Sequence, residues 1–215
     1  MGPVICMITP GLERHVPGGR DLVERMRAAA HAGVHLIQIR RPDLDGRGLT
    51  QFVQQALLAV RGTSTRVLVN DRVDVALAAW AHGVHLRGDS VPGSRARSAT
   101  PPGFLIGRSV HTPGEAAEVA SGGGVDYLLF GAVFATLSKP GVAPAGADAL
   151  AAACAATPLP VLAVGGMALD RLGGVAASGA AGFAAIGLFA DCAPGALAAL
   201  VRQARHEFDT SGGVP

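Results

Sequence analysis

Lysine is all but missing from this chain: of its 18 basic residues only Lys139 is lysine, and the other 17 are arginine. Where arginine serves everywhere else, one lysine in a Ser-Lys-Pro-Gly loop marks a place that needs a compact ammonium rather than a planar guanidinium. Aromatic residues are scarce too, with one Trp, one Tyr and seven Phe. With a net charge of +2 and arginines that are scattered rather than massed, there is neither a stacking platform nor a basic stripe for nucleic acid. The three cysteines, Cys6, Cys154 and Cys192, show neither a metal-ligand spacing nor a disulfide framework; Cys6 and Cys154, in apolar surroundings, are expected to be inert core thiols, and a reduced cytoplasm is expected. Long runs of bulky apolar residues are absent, although mean hydropathy is +0.37. The uncharged stretches 149–169 and 172–190 are long enough to cross a bilayer. They are nevertheless broken by Pro158, Pro160, Gly165-Gly166 and Gly173-Gly174, so a membrane span is not expected. The apolar run Val4–Ile8 is too short for a signal peptide.

Glycine and alanine are abundant, and they are ordered. An Ala-rich run, a glycine and a short apolar segment recur as AAAHAGVHLIQIR, ALAAWAHGVHLRGD, VASGGGVDYLLFG and AASGAAGFAAIG. Gly33, Gly83, Gly124 and Gly179 sit where a helix C-terminus takes a left-handed residue. The segments that follow are apolar on both faces, as parallel strands covered by helices are. Strands are predicted at Val4–Ile8, Leu36–Arg40, Arg66–Asn70, Val84–Leu86, Leu105–Val110, Tyr127–Phe130, Val161–Val164 and Phe183–Ile186, with a helix after each. Eight such units in 215 residues predict an α/β protein, a single-domain (β/α)8 TIM barrel over residues 1–209 with a disordered tail at 210–215. A doubly wound open sheet would need a glycine-rich turn after the first strand, and ITPGLERHVPGG matches that poorly.

Barrel chemistry sits at the C-terminal ends of the strands. There the chain places Gln38 and Arg40 on one face, then Asn70 and Asp71, then His85 to Ser90, then Ser109 and His111 on one face. The sixth strand opens into the loop bearing Thr136, Ser138 and Lys139, while the last two strands end in Gly165-Gly166 and Ile186-Gly187. Glycines there bring backbone N–H groups close to an anion, so a phosphate site is expected, with Lys139 beside it. Asp71 reads either as a Mg²⁺ ligand or as the N-cap of the helix behind it. His111 is the candidate general acid/base. His35 and His85 are read as structural, and His15, His31, His82 and His206 as surface or helix-end residues. Arg14 and Arg20 flank a first loop able to fold over a ligand.

The segments QIR (38–40), NDRVDVALA (70–78), GVHL (83–86), GRSVH (107–111), DYLLFGAVF…SKPG (126–141), VGGM (164–167) and AIGLF (185–189) run in one order over nearly the whole chain. Together they resemble the thiamine phosphate synthase/TenI superfamily. The resemblance implies a TIM barrel acting on a thiazole phosphate in thiamine biosynthesis, with a small-molecule substrate and no nucleic-acid or membrane partner. The apolar Ala-rich helices are compatible with a homo-oligomer.

The superfamily has two branches. Its synthases join hydroxymethylpyrimidine diphosphate to the thiazole phosphate with Mg²⁺, and carry Q-x-R-x-K, N-D and G-Q-x-D after the second, third and fourth strands. This chain keeps Gln38, Arg40, Asn70 and Asp71, but has Pro42 for the lysine, Arg87-Gly88 for Gly-Gln and Ser90 for the second Mg²⁺-binding aspartate, with Asp89 one place early. The TenI-like branch consists of thiazole tautomerases, which need no metal, and its catalytic histidine falls on His111. On these departures the chain is expected to be a tautomerase without a cofactor. His111 would then be acid/base, the N–H groups of Gly165, Gly166 and Gly187 would take the phosphate, and Lys139 and Arg40 would offset substrate anions. The alternative is a synthase, with Asp71 carrying Mg²⁺, Arg40 and Lys139 on the diphosphate and Ser109 facing a pyrimidine carbocation. A non-catalytic sensor of thiazole or thiamine phosphate is the third reading.

Overall fold

The eight apolar segments close on themselves. In the computed structural model, which describes residues 2–11, 19–136, 141 and 143–210, they form one barrel with strands in sequence order and the last paired to the first. The strands are β1 Val4–Ile8, β2 Leu36–Ile39, β3 Arg66–Asn70, β4 Gly83–Leu86, β5 Leu105–Val110, β6 Tyr127–Phe130, β7 Val161–Val164 and β8 Gly182–Ala185, all parallel. Each is followed by a helix: α1 Gly19–His31, α2 Gly46–Ala59, α3 Val73–Ala78, α4 Gly93–Ser98, α5 Pro113–Gly122, α6 Gly146–Ala155 and α7 Leu172–Ala177. After β8 come two, the short α8 Gly187–Ala190 and the longer α9 Leu197–Asp209. This is the single-domain (β/α)8 barrel that the repeat predicts. Among the described residues no helix is long and apolar enough to cross a membrane.

Strand alternation splits the core in two. Side chains such as Ile5, Ile37, Val67, Leu128, Phe130 and Phe183 point outward and are buried under the helices. Full burial of a side chain of this kind is worth about 1.5–3 kcal/mol. Cys6, Leu36, Leu68, Tyr127, Leu129 and Leu162 point inward and fill the barrel. Burial among them pushes the Cys6 thiol up to about 12, so it is an inert core residue as expected.

Three expectations need correction. Arg40 lies just beyond the end of β2 rather than in it. The predicted seventh helix begins as a 3-10 turn at Leu169–Arg171. Gly83 does not end a helix in a left-handed conformation as Gly33 and Gly179 do; it opens β4, and Trp80 supplies the positive φ instead, at 60°. Gly83 is required for space, since a Cβ there would lie 2.1 Å from the carbonyl oxygen of Leu105.

Candidate functional site

The inward face of β2 to β5 turns polar at its upper end. Gln38, Asn70, His85 and Ser109 all point into one cavity of about 1590 Å³, which also takes in Arg40, Asp71 and His111. Gln38 is 3% exposed; its Nε2 donates to Asn70 Oδ1 at 2.9 Å, and its Oε1 is buried with no hydrogen-bond partner. A buried acceptor without a partner costs free energy, and the Asn70 bond is the one that holds this amide in place at the cavity wall.

His85 stands beside this pair. Its Nδ1 lies 3.1 Å from Tyr127 Oη and its Nε2 2.9 Å from Ser109 Oγ. Burial, with the Arg108 charge nearby, pushes its pKa down to about 3, so the ring is neutral. The arrangement depends on glycine at 107, where a Cβ would lie 2.1 Å from the Tyr127 ring. Arg108 holds the loop after β4 from outside, donating from Nη1 to Val91 O at 2.6 Å and from Nη2 to Gly88 O at 2.7 Å.

At the mouth, the ends of β2, β3 and β4 each carry an arginine followed two places on by an aspartate. Arg41 binds Asp43, Arg72 binds Asp74 and Arg87 binds Asp89, in every case through Nε and Nη2 to the two carboxylate oxygens. Asp71 adopts a left-handed conformation, with φ 60°. It does not cap α3: the capping position is Arg72, which makes no side-chain bond there, and Asp71 Oδ1 accepts from the Arg87 backbone N–H at 3.3 Å. The N-cap alternative for Asp71 is therefore set aside.

Across the cavity the wall is backbone. Gly165 and Gly166 follow β7 with φ of 100° and 62°, and no side chain fits either: a Cβ would lie 2.6 Å from Ala132 Cβ or 2.4 Å from Ala135 O. Ile186 and Gly187 complete this side where β8 gives way to α8. Behind it the buried Arg25 of α1 donates through Nη1 to Phe189 O at 2.8 Å and to Cys192 O, tying down the end of α8.

His111 sits between the two sides, just past β5. Its Nδ1 donates to the Gly131 carbonyl, which leaves Nε2 as the ring nitrogen not held by that bond. Thr112 caps α5 by accepting from Glu115 N at 3.1 Å, and Glu115 reaches back to the His111 backbone N–H at 2.7 Å, a capping box shifted by one residue.

Gln38, Arg40, Asn70, Asp71, Ser109, His111, Gly165, Gly166, Ile186 and Gly187, singled out from sequence, thus all line one cavity. Ser138, Lys139 and Arg14 lie outside the described residues, as does the side chain of Arg20. His85, read as structural, is buried with both ring nitrogens against Tyr127 and Ser109, and it also lines the cavity. A strict count of alternate positions back from Ser90 through Gly88 would have missed it, whereas its register partner Asn70 points it inward. Tyr127, Arg108, Arg25 and the arginine forks were not anticipated.

The family model described as thiamine monophosphate synthase matches residues 5–189. The chain belongs to the thiamine monophosphate synthase family. Its relatives include the thiamine-phosphate synthase of Anaeromyxobacter dehalogenans, 39% identical over 193 residues that make up 89% of this chain and 86% of that one. Another is that of Chlorobium luteolum, 38% identical over 185 residues, 86% of this chain and 84% of the relative. Among solved structures, the thiamine phosphate pyrophosphorylase of Pyrococcus furiosus superposes with a TM-score of 0.82 at 28% identity, over 97% of this chain and 96% of that one. 3-Hexulose-6-phosphate synthase, at 19% identity and a TM-score of 0.70, shares the fold. For this member of the family, the setting is thiamine biosynthesis.

Proposed function

We propose that the chain joins hydroxymethylpyrimidine diphosphate to hydroxyethylthiazole phosphate, forming thiamine phosphate and releasing diphosphate. One observation carries this reading: a single cavity of about 1590 Å³ has two polar sides facing each other across the barrel. Sites for one small ligand run to roughly 300–1000 Å³. One side holds Gln38, Asn70, His85 and Ser109, the other the backbone of Gly165, Gly166 and Gly187. Tautomerising one thiazole phosphate leaves much of this space unfilled, whereas condensing two substrates fills it. The relatives named as synthases support the same choice, which reverses the order in which the sequence ranked the two branches.

Each group then has a task. Gln38 and Asn70, tied to each other at 2.9 Å, form the polar wall against which the pyrimidine's amino group lies. The C–O bond from the pyrimidine methylene to the diphosphate breaks, its electron pair leaving with the diphosphate. The thiazole nitrogen supplies the pair for the new C–N bond. Positive charge develops on the pyrimidine carbon between these events, and a neutral His85 behind Ser109 does not oppose it. The glycine side takes the thiazole phosphate on its backbone N–H groups.

The Mg²⁺ that the superfamily's synthases use does not fit the residues present. Asp71 and Asp89 are the carboxylates nearest that place, and Arg87 already engages both, at 3.8 Å and 2.5 Å.

Inorganic diphosphate titrated into protein saturated with hydroxyethylthiazole phosphate tests the two-sided reading. Both bind at once, one of each per chain; mutual exclusion would contradict it. The Nε2 of His111, not held by the Gly131 bond, favours a second reading, the tautomerase. The condensation removes no ring proton, so thiamine phosphate formation survives His111→Gln, while a tautomerase loses its turnover.

A further inference from the structure

We infer that the three arginine–aspartate forks at the ends of β2, β3 and β4 hold the substrate's diphosphate in the place of a divalent cation. The inference rests on the proposed condensation and concerns how that site takes its anion. The sequence spells the same unit three times, as Arg41-Pro42-Asp43, Arg72-Val73-Asp74 and Arg87-Gly88-Asp89. Each closes into the same bidentate geometry: 2.8 and 2.5 Å, 2.9 and 2.6 Å, and 3.0 and 2.5 Å. Successive strands therefore present successive guanidinium groups along one rim.

A guanidinium has five N–H donors, and each fork uses one on Nε and one on Nη2, which leaves three outside it, two of them on Nη1; in Arg87 that Nη1 stands 3.8 Å from Asp71 Oδ2. The aspartate holds the plane, so little rotamer freedom remains to be lost when an anion arrives. Arg41 is fixed further by lying 5.0 Å over the Phe52 ring. Asp43 and Asp74 stand outside the cavity, while Arg41, Arg72 and Arg87 line it. Counting Arg40, this side presents Arg40, Arg41, Arg72 and Arg87 against Asp71 and Asp89. Such a rim suits phosphoryl oxygens, which guanidinium groups bind in pairs. It repels a dication, because a Mg²⁺ between Asp71 and Asp89 would sit against the Arg87 guanidinium that bridges them. Ser90 supplies no carboxylate to compensate. Pro42, standing where a synthase lysine is expected, falls inside the first fork.

The test is calorimetric titration of inorganic diphosphate into the full chain in EDTA, then in excess Mg²⁺, for wild type and the variants Arg87→Ala, Arg72→Ala and Arg87→Lys. Binding in EDTA is expected, tightened no more than about twofold by Mg²⁺. Each alanine variant should weaken it about tenfold, the scale of a charged hydrogen bond. Arg87→Lys should fall in between, since it keeps the charge and loses the fork. Melting curves of the variants check that each is folded, and these exposed side chains make it so. Binding that requires Mg²⁺, or alanine variants that bind like wild type, would overturn the inference. The two proposals fail separately. Thiamine phosphate formation abolished by EDTA sinks the arginine rim and leaves the condensation standing. Diphosphate binding in EDTA with no product from the two substrates sinks the condensation and leaves the rim as an anion site.

Discussion

His85 is the residue whose environment does most to define the site. It is 1% exposed, faces Ser109 and Tyr127, and is neutral because burial pushes its pKa to about 3. Above pH 6.5 the ring is neutral in both the folded and the unfolded chain. As pH falls from 6.5 towards 3, the unfolded chain binds a proton that the folded one refuses, so stability is lost across that window. The penalty reaches about 2 kcal/mol by pH 5. Urea unfolding at pH 7 and pH 5 is expected to show the His85→Gln variant losing less stability than wild type over that interval. His35 and His82, also held low by burial, act in the same direction in both proteins and cancel in the comparison. Equal losses would mean that His85 titrates normally. At this scale the sequence was legible wherever alternation sufficed: Gln38 with Arg40, and Ser109 with His111, share faces because a strand has period two. The forks were not legible, because a pairing between residues two apart depends on how the chain curves after the strand ends.

At the scale of elements, the four copies of helix, glycine and apolar strand, with the apolar segments between them, located all eight strands to within a residue at either end. Where it erred, another constraint prevailed. Gly83 serves close strand packing rather than a helix end, and α8 spans only Gly187–Ala190, too short for any periodicity to register. That short helix closes the glycine side of the cavity, and Arg25 reaches from α1 to hold its end. Removing the guanidinium leaves the Phe189 and Cys192 carbonyls without it, a loss on the scale of about 1–3 kcal/mol. Arg25→Met is therefore expected to raise KM for the thiazole phosphate several-fold while leaving KM for the pyrimidine diphosphate near its wild-type value, as separate saturation curves would read. Equal rises for both substrates would mean that Arg25 supports the barrel at large rather than this loop.

At the scale of the molecule, closure of the barrel is what gives the cavity its two polar sides. β1 pairs with both β2 and β8, so the polar ends of β2 to β5 and the glycine ends of β7 and β8 face each other across one space. The strand count made that opposition legible in principle. The size of the space was not, since it depends on how far Leu129 and Val164 from their strands, and Ile186 just past β8, fill the interior. The central claim is that both sides act together in one condensation. The most direct measurement is thiamine phosphate, read by thiochrome fluorescence, after incubating the purified chain with hydroxymethylpyrimidine diphosphate and hydroxyethylthiazole phosphate. The account predicts product in amounts that exceed the protein present and match the diphosphate released. No product, together with aromatisation of a carboxythiazole phosphate that His111→Gln abolishes, would contradict it and establish the tautomerase.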